Sequence, residues 1–134
     1  MQSIFEIKNP MFFDESKFQN MKDIAKALLS GKEKKQYTQA IVLLSSLGNE
    51  YSAVIENALS VEKSDEKALL DKLISASDTK IDFILCLWHE CSVDIPSYDF
   101  RKMLCALNPD NANSGIFVIT RDGYSVIKLG NTLK

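Results

Sequence analysis

Apolar side chains recur every three to four residues along much of the chain, a spacing that predicts helices. Asp14 is placed to cap the first, Glu15 falls in its first turn, and Phe18, Met21, Ala25 and Leu28 form one stripe that Gly31 closes. After a polar connector at Lys32 to Lys35, Tyr37, Ala40, Ile41, Leu44 and Leu47 predict a second helix ended by Gly48 and Asn49. Tyr51, Val54, Ile55, Ala58 and Leu59 predict a third. Ser64 is placed to cap a fourth, with Asp65 and Glu66 in its first turn and Leu69, Leu70, Leu73 and Ile74 on its buried face.

The run from Lys80 to Cys91 is the ambiguous one, because Ile81, Phe83, Ile84, Leu85, Leu87 and Trp88 suit a buried strand or a buried helix. It is read as a fifth helix. Asp78 offers a cap, Ile81, Ile84, Leu85 and Trp88 fit a helical stripe, and β-branched residues are few. A short sixth helix runs from a Ser97 cap through Phe100, Met103, Leu104 and Leu107 to Asn108-Pro109.

The C-terminal pattern changes period. Residues 115 to 129 read as two strands around Asp122-Gly123, a dipeptide preferred in two-residue type I′ turns, with Arg121 opposite Tyr124. Ile116, Val118, Ile127 and Leu129 then share one face, and Phe117, Ile119 and Val126 the other. A lone ribbon is marginal in water, so it packs on the helices or recruits a third strand, for which Ser3 to Ile7 is the candidate. The expected fold is α+β, predominantly helical, with about six helices and a C-terminal antiparallel hairpin. The 134 residues suit a single globular domain, 1 to 134.

Composition narrows the function classes. Apolar residues at 46% and charged residues at 25% are ordinary for a packed protein. No export leader and no apolar run of bilayer length is seen, so a cytoplasmic location is expected without membrane partners. Cys86, Cys91 and Cys105 are then expected as free thiols. Residues 50 to 110 hold twelve acids against six bases, which disfavours nucleic acid as a partner. Lysines cluster only between Lys17 and Lys35, interleaved with Asp23 and Glu33 as on a solvated helix face.

On a fifth helix, Asp78, Asp82, Cys86, His89 and Glu90 would share one side. A thiol beside an imidazole and carboxylates suggests an activated nucleophile or a soft-metal site. The acidic setting argues instead for a core cysteine, since reactive cysteines need electropositive surroundings. No G-x-S-x-G, P-loop or G-x-G-x-x-G occurs, so no catalytic residue, cofactor or metal ligand is assigned. The favoured reading is a small protein-binding module, concretely an immunity or antitoxin-type inhibitor. It would hold a basic toxin or nuclease through Asp78, Asp82, Glu90, Asp94 and Asp99. The alternatives are a small enzyme or ligand-binding protein using Cys86, His89 and nearby carboxylates, and a helical adaptor or assembly subunit using the hairpin edge.

Overall fold

A computed structural model describes residues 4–5, 11–31, 33 and 35–134. In chain order the elements are β1 (Ile4–Phe5), α1 (Glu15–Ser30), β2 (Gln39–Ser45), β3 (Glu50–Ile55), α2 (Ser64–Ser75), β4 (Ile81–Trp88), β5 (Val93–Asp94), α3 (Tyr98–Leu107), β6 (Gly115–Thr120) and β7 (Gly123–Lys128). Short 3-10 turns follow α3 and β7. The N-terminal strand candidate is present at Ile4–Phe5, where it pairs in parallel with β6; Ser3, Glu6 and Ile7 lie outside the described residues, as do Lys32 and Lys34.

All strands join one mixed sheet. β3 pairs with β2, β2 with β4, β4 with β6 and β6 with β7; only β4–β6 and β1–β6 are parallel. β2 covers one edge of β4 along its whole length, whereas β6 meets the other edge only at Phe83 and Ile84. Further along, β5 pairs with Cys86 and Leu87 of β4, so it takes the edge from which β6 diverges.

The expected predominantly helical fold is therefore overturned. The predicted second, third and fifth helices are β2, β3 and β4 of the sheet. For β2 and β4 the physical reason is burial on both faces, while β3 is the partly buried edge strand paired to β2. Ile41, Leu43, Ile84, Cys86, Trp88, Ile116 and Val118 point into a core shared with α2 and α3. Ala40, Val42, Leu85, Leu87 and Phe117 point into a second core under α1. A strand between two helical layers is apolar at successive positions, and such a run contains a helical stripe by chance.

The first and sixth predicted helices begin and end on the residues that mark them, whereas the fourth, α2, has Lys63 rather than Ser64 at its cap position and no side-chain cap. Asp14 Oδ1 accepts from the Lys17 N–H at the start of α1, and Ser97 Oγ accepts from the Phe100 N–H at the start of α3. Phe18, Met21, Ala25 and Leu29 are the buried stripe of α1. The hairpin forms as β6 and β7, two residues out of the expected register, with Thr120 opposite Gly123 and Ile119 opposite Tyr124. Gly123 has φ +119° while Asp122 is not in the left-handed region, so Arg121 and Asp122 make the turn and the glycine opens β7. A shift of two keeps each side chain on its expected face.

Directions within the sheet set the rest. β3 and β4 are both antiparallel to β2, so they run the same way. Each leads to a helix on the same face, β3 through a loop into α2 and β4 through the short antiparallel β5 into α3. The N-termini of α2 and α3 consequently meet at one end of the sheet, beyond the carboxyl ends of the two strands, where open α/β sheets place their ligands.

Two substitutions test this packing. A Cβ on Gly115 would stand 2.6 Å from Val126 Cγ1 and 3.2 Å from the Phe83 ring. Gly115→Ala is expected to cost about 1–3 kcal/mol in chemical denaturation, and an unchanged midpoint would contradict the β6–β7 packing. Asp78, nearly buried, accepts from Asn49 Nδ2 and the Tyr51 hydroxyl. Burial alone would raise its pKa, but hydrogen bonds from Asn49, Ser45 and Tyr51 outweigh it and hold the carboxyl below its ordinary value. Its contribution is thus present at neutral pH and lost as pH falls through the depressed folded value. Asp78→Asn should flatten the acid limb of the stability–pH profile, and an identical limb would sink the assignment.

Candidate functional site

Glu66 is the third residue of α2, and its side chain lies inside the protein at 2% exposure. A carboxylate in the first turn is favoured by the helix dipole, which offsets part of the cost of removing it from water. Its Oε2 accepts a 2.6 Å hydrogen bond from Ser97 Oγ, the cap of α3. One short contact therefore joins the starts of the two helices.

The segment leading into α3 is held by buried polar groups. Asp94 accepts from Trp88 Nε1 at 2.9 Å and from the Ile95 N–H at 2.8 Å. Arg101, also buried, donates from Nε to the Pro96 carbonyl and from Nη1 to the Thr132 carbonyl, which ties the C-terminal turn to the helix. Tyr98 lies over its guanidinium at 5.6 Å. These bonds fix the backbone at Pro96 and Ser97, and so the hydroxyl that meets Glu66.

On the α2 side, the Glu56 N–H donates to Asp65 Oδ2 and Lys63 Nζ to the Ala58 carbonyl, pinning the loop after β3. Lys63 itself has φ +55°, a left-handed conformation unusual for a side chain of its size, and no side chain caps α2. Between these groups lies a cavity of about 140 Å³, lined by Ile55, Asn57, Ser60, Lys63, Ser64 and Glu66 among others. Strained backbone, buried carboxylate and open helix N-terminus converge on one small space.

The acidic residues singled out in sequence do not form one surface. Asp78 is buried in the network described above, and Asp82, exposed near the start of β4, accepts from Ser46 Oγ. Glu90, Asp94 and Asp99 belong to the opposite end of that strand; Asp94 is buried, while Glu90 and Asp99 are exposed. The helical spacing that grouped them does not exist on a strand, where eight residues span about 26 Å.

Cys86 and His89 are separated because β4 ends at Trp88, which leaves Cys86 in the sheet and His89 in the turn beyond it. Cys86 is fully buried between β4 and the α2/α3 layer. Burial pushes its thiol pKa well above the ordinary value, and the charges of Asp94 and Glu66 push it the same way. That is the reverse of an activated nucleophile. His89 sits in the turn after β4, with Nε2 3.5 Å from Glu90 and a buried Nδ1 that makes no hydrogen bond. Among the described residues, no three His, Cys, Asp or Glu side chains are placed to hold a metal ion. No helix among them is long and apolar enough to cross a membrane.

Glu66, Ser97 and the Lys63 loop carry no chemical flag in the sequence. The one available signal is a carboxylate at the third position of a helix, followed some thirty residues on by Pro96-Ser97 opening another.

No protein-family model matches the chain, and no curated protein sequence does. Solved structures do. Cytidine deaminase from Mycobacterium leprae superposes with a TM-score of 0.62 at 14% identity, over 87% of this chain and 96% of that one. The Mycobacterium tuberculosis enzyme gives 0.62 at 15%, over 87% and 93%, and that of Burkholderia pseudomallei 0.60 at 13%, over 84% and 93%. This chain has their fold. The likeness to these small enzymes, with the dispersal of the acidic residues, overturns the expectation of an immunity or antitoxin-type inhibitor. The helical scaffold assumed for an adaptor or assembly subunit is absent, while the hairpin it would use forms as the β6–β7 pair.

Thiol labelling checks the placement of the cysteines. Cys91 and Cys105 are partly exposed, and burial raises the Cys105 pKa. A maleimide or iodoacetamide reagent followed by peptide mass spectrometry is expected to modify Cys91 first, Cys105 more slowly, and Cys86 only after unfolding. Native labelling of Cys86 at the rate of Cys91 would refute the buried assignment.

Proposed function

We propose that this chain binds a small amino-bearing heterocycle, a pyrimidine base or nucleoside, in the cavity beside Glu66, with that carboxylate as its recognition and proton-transfer group. The observation that carries the reading is Glu66 itself, the buried acid among the three (Glu56, Asp65 and Glu66) that line a cavity at the carboxyl end of β3. It sits in a fold that this chain shares with enzymes acting on cytidine. Asp94, the other buried acid at this end, is committed to Trp88 and Ile95.

The cavity sets the ligand's size and polarity. About 140 Å³ is below the roughly 300 Å³ of sites for drug-sized molecules, so it suits one ring with a substituent left outside. Glu66 accepts hydrogen bonds from an exocyclic amino group or ring N–H. The first-turn N–H groups of α2, which no side chain caps, suit a ring carbonyl oxygen. Lys63 adds a cation at the rim for an anionic substituent.

Zinc deaminases as a class hold Zn²⁺ with one His and two Cys or with three Cys. Their pattern is H-x-E followed by P-C-x-x-C, the Glu acting as general acid and base. This chain has Ser64-Asp65-Glu66 and Pro96-Ser97-Tyr98-Asp99-Phe100. Glu and Pro coincide with the pattern; the three ligand positions are Ser64, Ser97 and Phe100. Zinc sites are built from thiolate, imidazole and carboxylate, and neither neutral hydroxyls nor a phenyl ring replaces them. The Ser97 hydroxyl is already engaged, donating to Glu66 and accepting from the Phe100 N–H. The residues do not fit the metal, and no step is assigned to it. What remains is binding, and movement of a proton at Glu66.

Titration calorimetry and amide chemical shifts with cytosine, cytidine, uridine and adenosine test the proposal. At least one pyrimidine is expected to bind, with shifts at Asn57, Lys63 and Glu66 and about tenfold weaker binding in Glu66→Gln. If no pyrimidine moves those resonances, or if Glu66→Gln binds as tightly as the parent, the reading is wrong. Assay of ammonia in the same samples measures any turnover.

A further inference from the structure

We infer that a hydrogen bond between Ser97 and Glu66 stands where the deaminase fold otherwise has a metal centre, and that the site is assembled and kept without zinc. The inference concerns how the two helix starts are held together. It rests on the fold and on the matched spacing, and it is independent of whether a pyrimidine is the ligand.

Three observations support it. Glu66 stands at the Glu position of the x-x-Glu pattern and is buried, while the three ligand positions carry no zinc donor. Ser97 Oγ reaches Glu66 at 2.6 Å, a distance typical of a hydroxyl donating to a carboxylate. A metal lying between these helix starts would compete for that hydroxyl oxygen. Phe100, three residues after Ser97 on the same helix, is fully buried in the α2/α3 core. An aromatic ring there fills space with carbon and supplies no donor.

The exchange changes what the site needs. A metal-held pair of helices depends on deprotonated thiolates and on metal supply, and chelators dismantle such sites. A hydroxyl–carboxylate pair backed by apolar packing needs neither. The same positions should nevertheless accept zinc once the donors are restored, because the backbone that presents them is the one the fold uses elsewhere.

Metal analysis and cobalt spectroscopy on the 134-residue chain decide the matter. The parent protein, purified and dialysed with zinc, is expected to carry none above background, and its melting temperature should not move with chelator. One zinc per chain that survives dialysis and lowers the melting temperature when removed would overturn the inference. The triple variant Ser64→Cys, Ser97→Cys, Phe100→Cys is expected to bind one Co²⁺ with thiolate-to-metal absorption, and a folded triple variant lacking that band would refute the matched positions. Should loss of the Phe100 ring unfold it, the double variant Ser64→Cys, Ser97→Cys leaves the core intact. A cobalt–thiolate band there supports convergence of the two helix starts, and its absence in the folded protein counts against it.

Discussion

Burial of β4 on both faces and along both edges is the constraint on which the rest of the structure depends. A strand in that position has no water for its backbone, so its N–H and C=O groups need partners within the protein. β2 supplies one edge throughout, and β6 and β5 divide the other. At the start of the strand Asn111, fully buried, accepts from the Ile81 N–H, while its amide donates to the Thr79 and Leu104 carbonyls. Ser114 donates to the Ile81 carbonyl. At the far end the Trp88 N–H is met by the Ser92 carbonyl. Every layer of the protein is arranged around satisfying this one strand.

The site follows from that arrangement. A central strand needs helices on both faces, and the two that cover one face must each cross the sheet and return. Because β3 and β4 run the same way, both helices start at the same end, and their first turns bring Glu66 and Ser97 together. Each polar group there is committed to a partner. Arg101 and Asp94 are spent on the backbone of the entering segment, Ser97 on Glu66, and Glu66 alone of these reaches the cavity wall. Within a fold shared with cytidine deaminases, a buried acid thus stands in a setting whose donor set does not suit a metal.

The chain's acidity reads differently once folded. Asp78 and Asp94 serve as buried acceptors for Tyr51, Asn49 and Trp88, Asp65 closes the loop before α2, and Asp14 caps α1. Carboxylates that look like a surface surplus in sequence are in several cases the hydrogen-bond partners of turns and helix starts. Net charge by segment does not distinguish these uses, since it ignores which side chains face water.

The sequence by itself determined the three helices, with their caps at Asp14 and Ser97 and their ends at Gly31 and Asn108-Pro109, and the strand pair around Gly123. Those elements have one apolar and one polar side, or a turn whose chemistry is local. β2, β3 and β4 were not legible as strands. β2 and β4 lie between two cores, and burial on both faces erases the alternation that marks a strand; Leu, Ala and Cys among their residues add little β preference. The site was invisible for a related reason. Ser64, Glu66, Ser97 and Phe100 are ordinary residues for a helix start and a core, and only tertiary structure, by running β3 and β4 in one direction under a common helical layer, sets a carboxylate from one helix against a hydroxyl from the other across thirty-one residues.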